Sequence, residues 1–104
     1  MPEYVSKPGR GTALEDQEAV ELPPRYRVLL HNDHYTTMDF VVLVLEHVFH
    51  KPRSEAARIM LNVHENGIGV AGVYVKEVAE TKVASVHRIA RSNQFPLKCS
   101  MEPE

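Results

Sequence analysis

From Arg25 to His31 apolar and polar side chains alternate. Tyr26, Val28 and Leu30 fall on one side, Arg25, Arg27 and His31 on the other. A period of two predicts a half-buried strand. Beyond the polar cluster Asn32, Asp33 and His34 the period changes. Met38, Val41, Val42, Leu45, Val48 and Phe49 recur at steps of three and four, which predicts a helix. Phe40, Leu43 and Val44 widen its apolar face, so burial on more than one side is expected. Thr36 is expected as the N-cap, with Asp39 completing a variant capping box at the positive end of the helix dipole. Pro52 ends this segment. Ser54 is expected to cap a second helix running to about Asn66, with Gly67 as a left-handed C-terminal cap. Val70 to Val75 is β-branched and bounded by glycine, a strand pattern. A third helix is predicted over about Glu77 to Arg91, with Ala79, Val83, Val86 and Ala90 as its inner stripe. Glu77 and Glu80 open it and Arg88 and Arg91 close it, as its dipole prefers. Val75 and Lys76 precede it without a capping side chain, so fraying is expected at its start. After Pro96, Leu97, Cys99 and Met101 alternate as a last strand. The order βααβαβ predicts an α+β open sandwich, a small three-stranded antiparallel sheet packed against three helices.

Composition narrows the classes. The chain has 104 residues and a formal charge of −2, enough for one core and without the basic face that nucleic acid demands. No apolar run is long enough for a membrane span, and no apolar signal core is present. A single cysteine, Cys99, allows no internal disulfide, which points to a reducing, cytoplasmic setting. Met1 to Glu21 holds few large apolar groups and an acidic patch at Glu15, Asp16, Glu18 and Glu21. Residues 1–23 therefore read as a flexible tail ahead of a domain over residues 24–104. Both an unused overhang and a tether for a partner fit that tail.

The chemistry concentrates where the first strand meets the first helix. Asn32 and Asp33 are acceptors at a strand end, and Thr36 and Met38 stand at the mouth of the helix. Met60, Val63 and His64 share one face of the second helix. By itself that trio means core packing with one satisfied histidine. Set across from Asn32 and Asp33, it suits a ligand cationic at one end and apolar at the other. A peptide α-amino group, with a pKa near 7.7–8.0, is such a cation, with three donors and no acceptor. Six histidines invite a metal reading. The pairs His31/His34 and His47/His50 lie on different elements without a His-Glu-x-x-His pattern or a second cysteine, so no metal or other cofactor is expected. Cys99 is expected to be buried and inert, and no nucleophile or phosphate loop accompanies the polar cluster, so an enzyme is not expected.

The segments NDHYTTMDFV, MLNVHENG, GVYVKEVAETKVASV and QFPLKC, in that order between Pro24 and Met101, closely resemble the ClpS family of adaptors. The resemblance implies a protein that binds destabilising N-terminal residues (N-degrons) and passes the substrate to the N-domain of a ClpA- or ClpC-type AAA+ unfoldase. It implies that Asn32 and His64 bind the α-amino group, with Asp33 and His34 beside them. Thr36, Met38, Val41, Met60, Val63 and Leu97 would line the side-chain pocket, with Met38 limiting shape at the β-carbon. Glu77, Glu80, Thr81 and Lys82 match a segment that contacts the unfoldase in relatives. The free chain is expected to be monomeric. Two departures stand out: the family usually reads Asn-Asp-Asp where this chain reads Asn32-Asp33-His34, and Thr37 stands where it often has proline. The alternative is a docking domain without an amino-acid pocket, an architecture related to the C-terminal domain of the ribosomal stalk protein.

Overall fold

A computed structural model describes residues 21–104. Most of the expected tail, residues 1–20, lies outside the described part. The elements run β1 (Arg25–His31), α1 (Met38–His47), α2 (Arg53–Asn66), β2 (Ile68–Val75), α3 (Lys76–Ser92) and β3 (Lys98–Pro103). This is the expected βααβαβ order. β1 is the central strand, paired antiparallel with β2 on one side and β3 on the other. The predicted α+β architecture is therefore the observed one.

The alternation along β1 sets the layers. Val28 and Leu30 are fully buried in one cluster with Phe40, Val44, Leu45, Ala56, Ala79 and Val86 from the helices. Arg25 and Arg27 reach across the other face of the sheet to Glu104 and Glu102. These pairs are solvent-exposed, so each adds at most about 1 kcal/mol. The pairing register shifts between Val28 and Leu29, leaving Ala71 as an extra residue in β2. Such a bulge bends its strand, and here the bent end leads back to the C-terminus of α2.

Local chemistry moves two helix starts from their expected places. Thr37, not Thr36, caps α1: its backbone is extended and its hydroxyl accepts from the Phe40 amide. Thr36 is withdrawn because its own hydroxyl donates to Asp33. Asp39 consequently falls at the second helical position, still within the first turn. α2 is entered through Pro52, without a side-chain cap, and Ser54 lies inside the helix. Proline's fixed φ suits a helix entry, and its missing N–H costs nothing there. Gly67 closes α2 in the left-handed conformation at φ 86°, as its position predicted. α3 begins at Lys76 after Val75, which offers no capping side chain. Its stripe of Ala79, Val86 and Ala90 is buried, with Val83 packed against the core. No helix among the described residues is long and apolar enough to cross a membrane.

Candidate functional site

Asn32 leaves the sheet at the end of β1, and its amide donates to the carbonyl of Gly67 at 2.9 Å. Gly67 in turn donates its own amide to Val63. One glycine thus ties the end of β1 to the last turn of α2, the turn that carries Val63 and His64. Only a residue tolerant of positive φ makes both contacts without strain. Two residues on, a Cβ at Gly69 would lie 2.7 Å from Val63 Cγ2. The absence of a side chain there lets β2 run against the Val63 side chain.

The loop between β1 and α1 is pinned by Asp33. Its Oδ1 accepts from the amides of Tyr35 (2.8 Å) and Thr36 (2.7 Å), and its Oδ2 from the Thr36 hydroxyl (2.7 Å). Burial acts to raise its pKa, but the bonds from Thr36 and Tyr35, with the nearby His34, outweigh that. The carboxyl is held below its ordinary value and stays charged. Asp33 is therefore already engaged within its own loop. The Asp-x-x-Thr spacing, a common side-chain-to-backbone turn, was the signal in the sequence for this role.

Between this loop and α2 lies a cavity of about 240 Å³ lined by Asn32, Asp33, His34, Thr36, Met38, Val41, Met60, Val63 and His64. Nine of the ten residues expected at the α-amino and side-chain subsites therefore meet in one place. Val41 and Val63 are buried, whereas Met38 and the imidazoles of His34 and His64 stand at exposed positions. The side-chain hydrogen bonds of the loop are taken by Asp33 and Thr37. Among the described residues none occupies the Asn32 amide or the His64 imidazole. The tenth residue, Leu97, is not in this wall. It is buried just before β3, beside a separate depression shared with His87, Phe95 and Pro96.

The remaining expectations fall elsewhere. Glu77, Glu80 and Thr81 are exposed near the start of α3, with the Thr81 hydroxyl donating to the Glu77 carbonyl. Lys82 is different: its ammonium donates to the Val48 carbonyl at 2.7 Å and lies 5.4 Å from the centre of the Tyr74 ring. It closes the C-terminus of α1 as well as facing outward. Cys99 is buried, and burial pushes its thiol up to about 12, which removes thiolate reactivity at neutral pH. No cluster of three or more metal-ligating side chains occurs among the described residues.

Fold and cavity together define a small α+β domain: a helix-backed sheet with polar acceptors beside an apolar pocket. The family model described as ATP-dependent Clp protease adaptor protein ClpS matches residues 21–100. A ClpS adapter protein from Desulfatibacillum aliphaticivorans is 62% identical over 90 residues, 86% of each chain. One from Oleidesulfovibrio alaskensis is 64% identical over 86 residues, 83% of each chain. Among solved structures, Agrobacterium tumefaciens ClpS2 bound to L-phenylalaninamide is similar with a TM-score of 0.77 and 36% identity, covering 80% of this chain and all of that one. The chain belongs to the ClpS family of Clp protease adaptors.

Proposed function

We propose that this adaptor captures polypeptides by a bulky hydrophobic N-terminal residue, Phe, Tyr, Trp or Leu. It then presents them to a ClpA- or ClpC-type unfoldase in the cytoplasm. The observation that carries the reading is the single cavity in which Asn32 and His64 adjoin Met38, Val41, Met60 and Val63. A free α-amino group brings three donors, and an amide oxygen and a neutral imidazole nitrogen are matching acceptors. Burying the adjoining side chain against the apolar wall contributes about 1.5–3 kcal/mol. Two methionines make that wall pliable enough for rings and branched chains alike. The related ClpS2 was solved with L-phenylalaninamide, a free amine carrying a benzyl group, which is the chemistry this cavity suits.

In this reading Asp33 shapes the loop and adds its negative field, without direct contact being required. Exclusion of Val and Ile rests on crowding by Met38 at the β-carbon. Glu77, Glu80 and Thr81 form the exposed part of the surface offered to the unfoldase, and Lys82 fixes that surface to α1. The chain acts as a carrier with no catalytic step.

A panel of fluorescent peptides differing only in the first residue, read by anisotropy, tests the reading. Phe-, Tyr-, Trp- and Leu-headed peptides should bind, and Val-, Ile- and acetyl-Phe-headed ones should not. Acetylation removes the cation and leaves the acceptors unmatched once the peptide covers them, which costs about 1–3 kcal/mol for each group. Asn32→Ala combined with His64→Ala should abolish capture. Equal binding of acetylated and free peptides would refute the proposal.

A further inference from the structure

A second cavity, of about 230 Å³, lies between the end of α1 and the middle of α3. His47 and His50 line it together with Lys82, Ser85 and Arg88, over an apolar floor of Val48 and Ile89. No carboxylate lines it. The basic residues elsewhere are used differently. Arg25, Arg27, Arg53 and Arg58 each pair with a glutamate. Among the described residues Lys82, Arg88 and the two imidazoles pair with no carboxylate. Lys82 is already held in place, because one of its N–H bonds goes to the Val48 carbonyl at 2.7 Å. Its ammonium keeps two further donors. Ser85 lies three residues from both Lys82 and Arg88 on α3, so its hydroxyl falls between the two cations.

The backbone of His50 gives a second, independent sign. Its φ of 56° is left-handed, a conformation that glycine adopts without strain. This chain carries an imidazole there instead, on the wall of the cleft. Residues held in such sparsely populated conformations gather at binding sites. A metal ion is disfavoured, since only two ligating side chains are present and both stand beside fixed cations. A phosphate group fits better. Its oxygens accept from every donor in the cleft, and a planar guanidinium meets it with two parallel hydrogen bonds. The floor of Val48 and Ile89 leaves an apolar seat beside it. The surroundings limit the size of the carrier. Glu77 stands one turn before Thr81, another lining residue, and Glu80 directly before it, both exposed. With the chain's net charge of −2, these acids repel an extended anionic surface such as a bilayer, whereas one small anion avoids them.

We propose that the cleft between the end of α1 and the middle of α3 binds the phosphate group of a small soluble phosphate ester. Arg88, Lys82, His47 and His50 hold the phosphate, and the organic part rests on Val48 and Ile89.

The test uses the full chain at neutral pH, with ionic strength held constant by chloride and phenyl phosphate as the probe. The imidazole signals of His47 and His50 and the amides of Ser85 and Arg88 should shift together along one saturable curve. The imidazoles of His31 and His87, which do not line the cleft, should stay in place. Inorganic phosphate should move the same signals but bind roughly threefold or more weakly, because it leaves the apolar floor uncovered. Arg88→Ala should weaken binding of phenyl phosphate about tenfold or more, and Arg88→Lys by less, since it keeps the charge without the fork. Arg88 is exposed, so both variants should keep the parent's urea midpoint. Unsaturable drift of all histidine signals, or equal titrations of the parent and Arg88→Ala, overturns the proposal. So does a shift confined to Asn32 and His64, because the probe would then occupy the other cavity. Binding to vesicles of anionic phospholipid without any response to phenyl phosphate overturns it too, since the occupant would then be a membrane surface.

Discussion

At the scale of single residues, the proposed function separates groups that would bind from groups that hold the loop in place. Asp33 belongs to the second kind. It accepts three hydrogen bonds within its own loop, and its carboxyl is held below the ordinary value of 3.8. A folded-state pKa below the unfolded one means that its stabilisation is fully present above about pH 4. It is lost as pH falls through the folded value, because the unfolded chain takes up the proton first. Asp33→Asn should lower the urea midpoint at pH 7 by an amount equivalent to about 0.5–1.5 kcal/mol. The difference from the parent should shrink below pH 4, as denaturation curves at both pH values would show. The proposed function puts His34 in the other kind. It lines the cavity at a position where the resemblance to the ClpS family implies an acid, and an imidazole that gains a proton repels a cationic ligand. Binding of a Phe-headed peptide should fall more steeply below neutral pH in the parent than in His34→Asp. Superimposable pH profiles from anisotropy titrations would remove His34 from the site. The composition of the cavity was legible in the sequence, because strand-end acceptors and a Met-x-x-Val-His helix face each carry a recognisable pattern. The hydrogen bonds that Asp33 accepts within its own loop were not foreseen, although the Asp-x-x-Thr spacing carried their signal. Leu97 was placed in the cavity wall by resemblance, and alternation showed only that it is buried, not which void it borders.

At the scale of elements, the site depends on how closely α2 and the end of β1 approach, and two glycines control that separately. Gly67 has φ 86° and open space where a Cβ would point. Gly67→Ala should therefore cost about 1 kcal/mol, purely from backbone strain. Gly69 has no unusual φ, but its Cβ would strike Val63. Gly69→Ala should cost about 1–3 kcal/mol by overpacking and should displace Val63 into the cavity. Urea denaturation and peptide titration on both variants would separate the two effects. The first should lower stability and leave affinity within about twofold. The second should lower both. Periodicity placed β1, α1, α3 and β3, whereas α2 and β2 were placed by their bounding residues and β-branched composition. Neither signal placed the N-caps of α1 and α2 correctly. Thr36 and Thr37 are equivalent by propensity, and only the competing bond from Thr36 to Asp33 decides between them. Ser54 looked like a cap, yet the preset φ of Pro52 starts the helix two residues earlier. The bond from Asn32 to Gly67, which brings the two halves of the site together, spans thirty-five positions and leaves no local mark on the sequence.

At the scale of the molecule, the cavity lies between the strand-end loop and α2, so a ligand there touches both. Anything that binds the folded state and not the unfolded one stabilises the whole domain by mass action. A ligand at about a hundred times its dissociation constant adds roughly 2.7 kcal/mol. For a domain of this size each kcal/mol raises the melting temperature by about 4–8 °C. L-Phenylalaninamide at saturation should therefore raise the midpoint by 10 °C or more, on the order of that product. N-acetyl-phenylalaninamide has the same ring without the cation, and at equal concentration it should leave the midpoint within about 1–2 °C of the free protein. Asn32→Ala combined with His64→Ala should remove the response to the first compound and keep the unliganded midpoint close to the parent. Both side chains are exposed and, among the described residues, bonded to nothing, so their truncation lies within the small range expected at the surface. Equal shifts from the two compounds would show that the ring alone drives binding. The polar half of the cavity would then have no part in recognition.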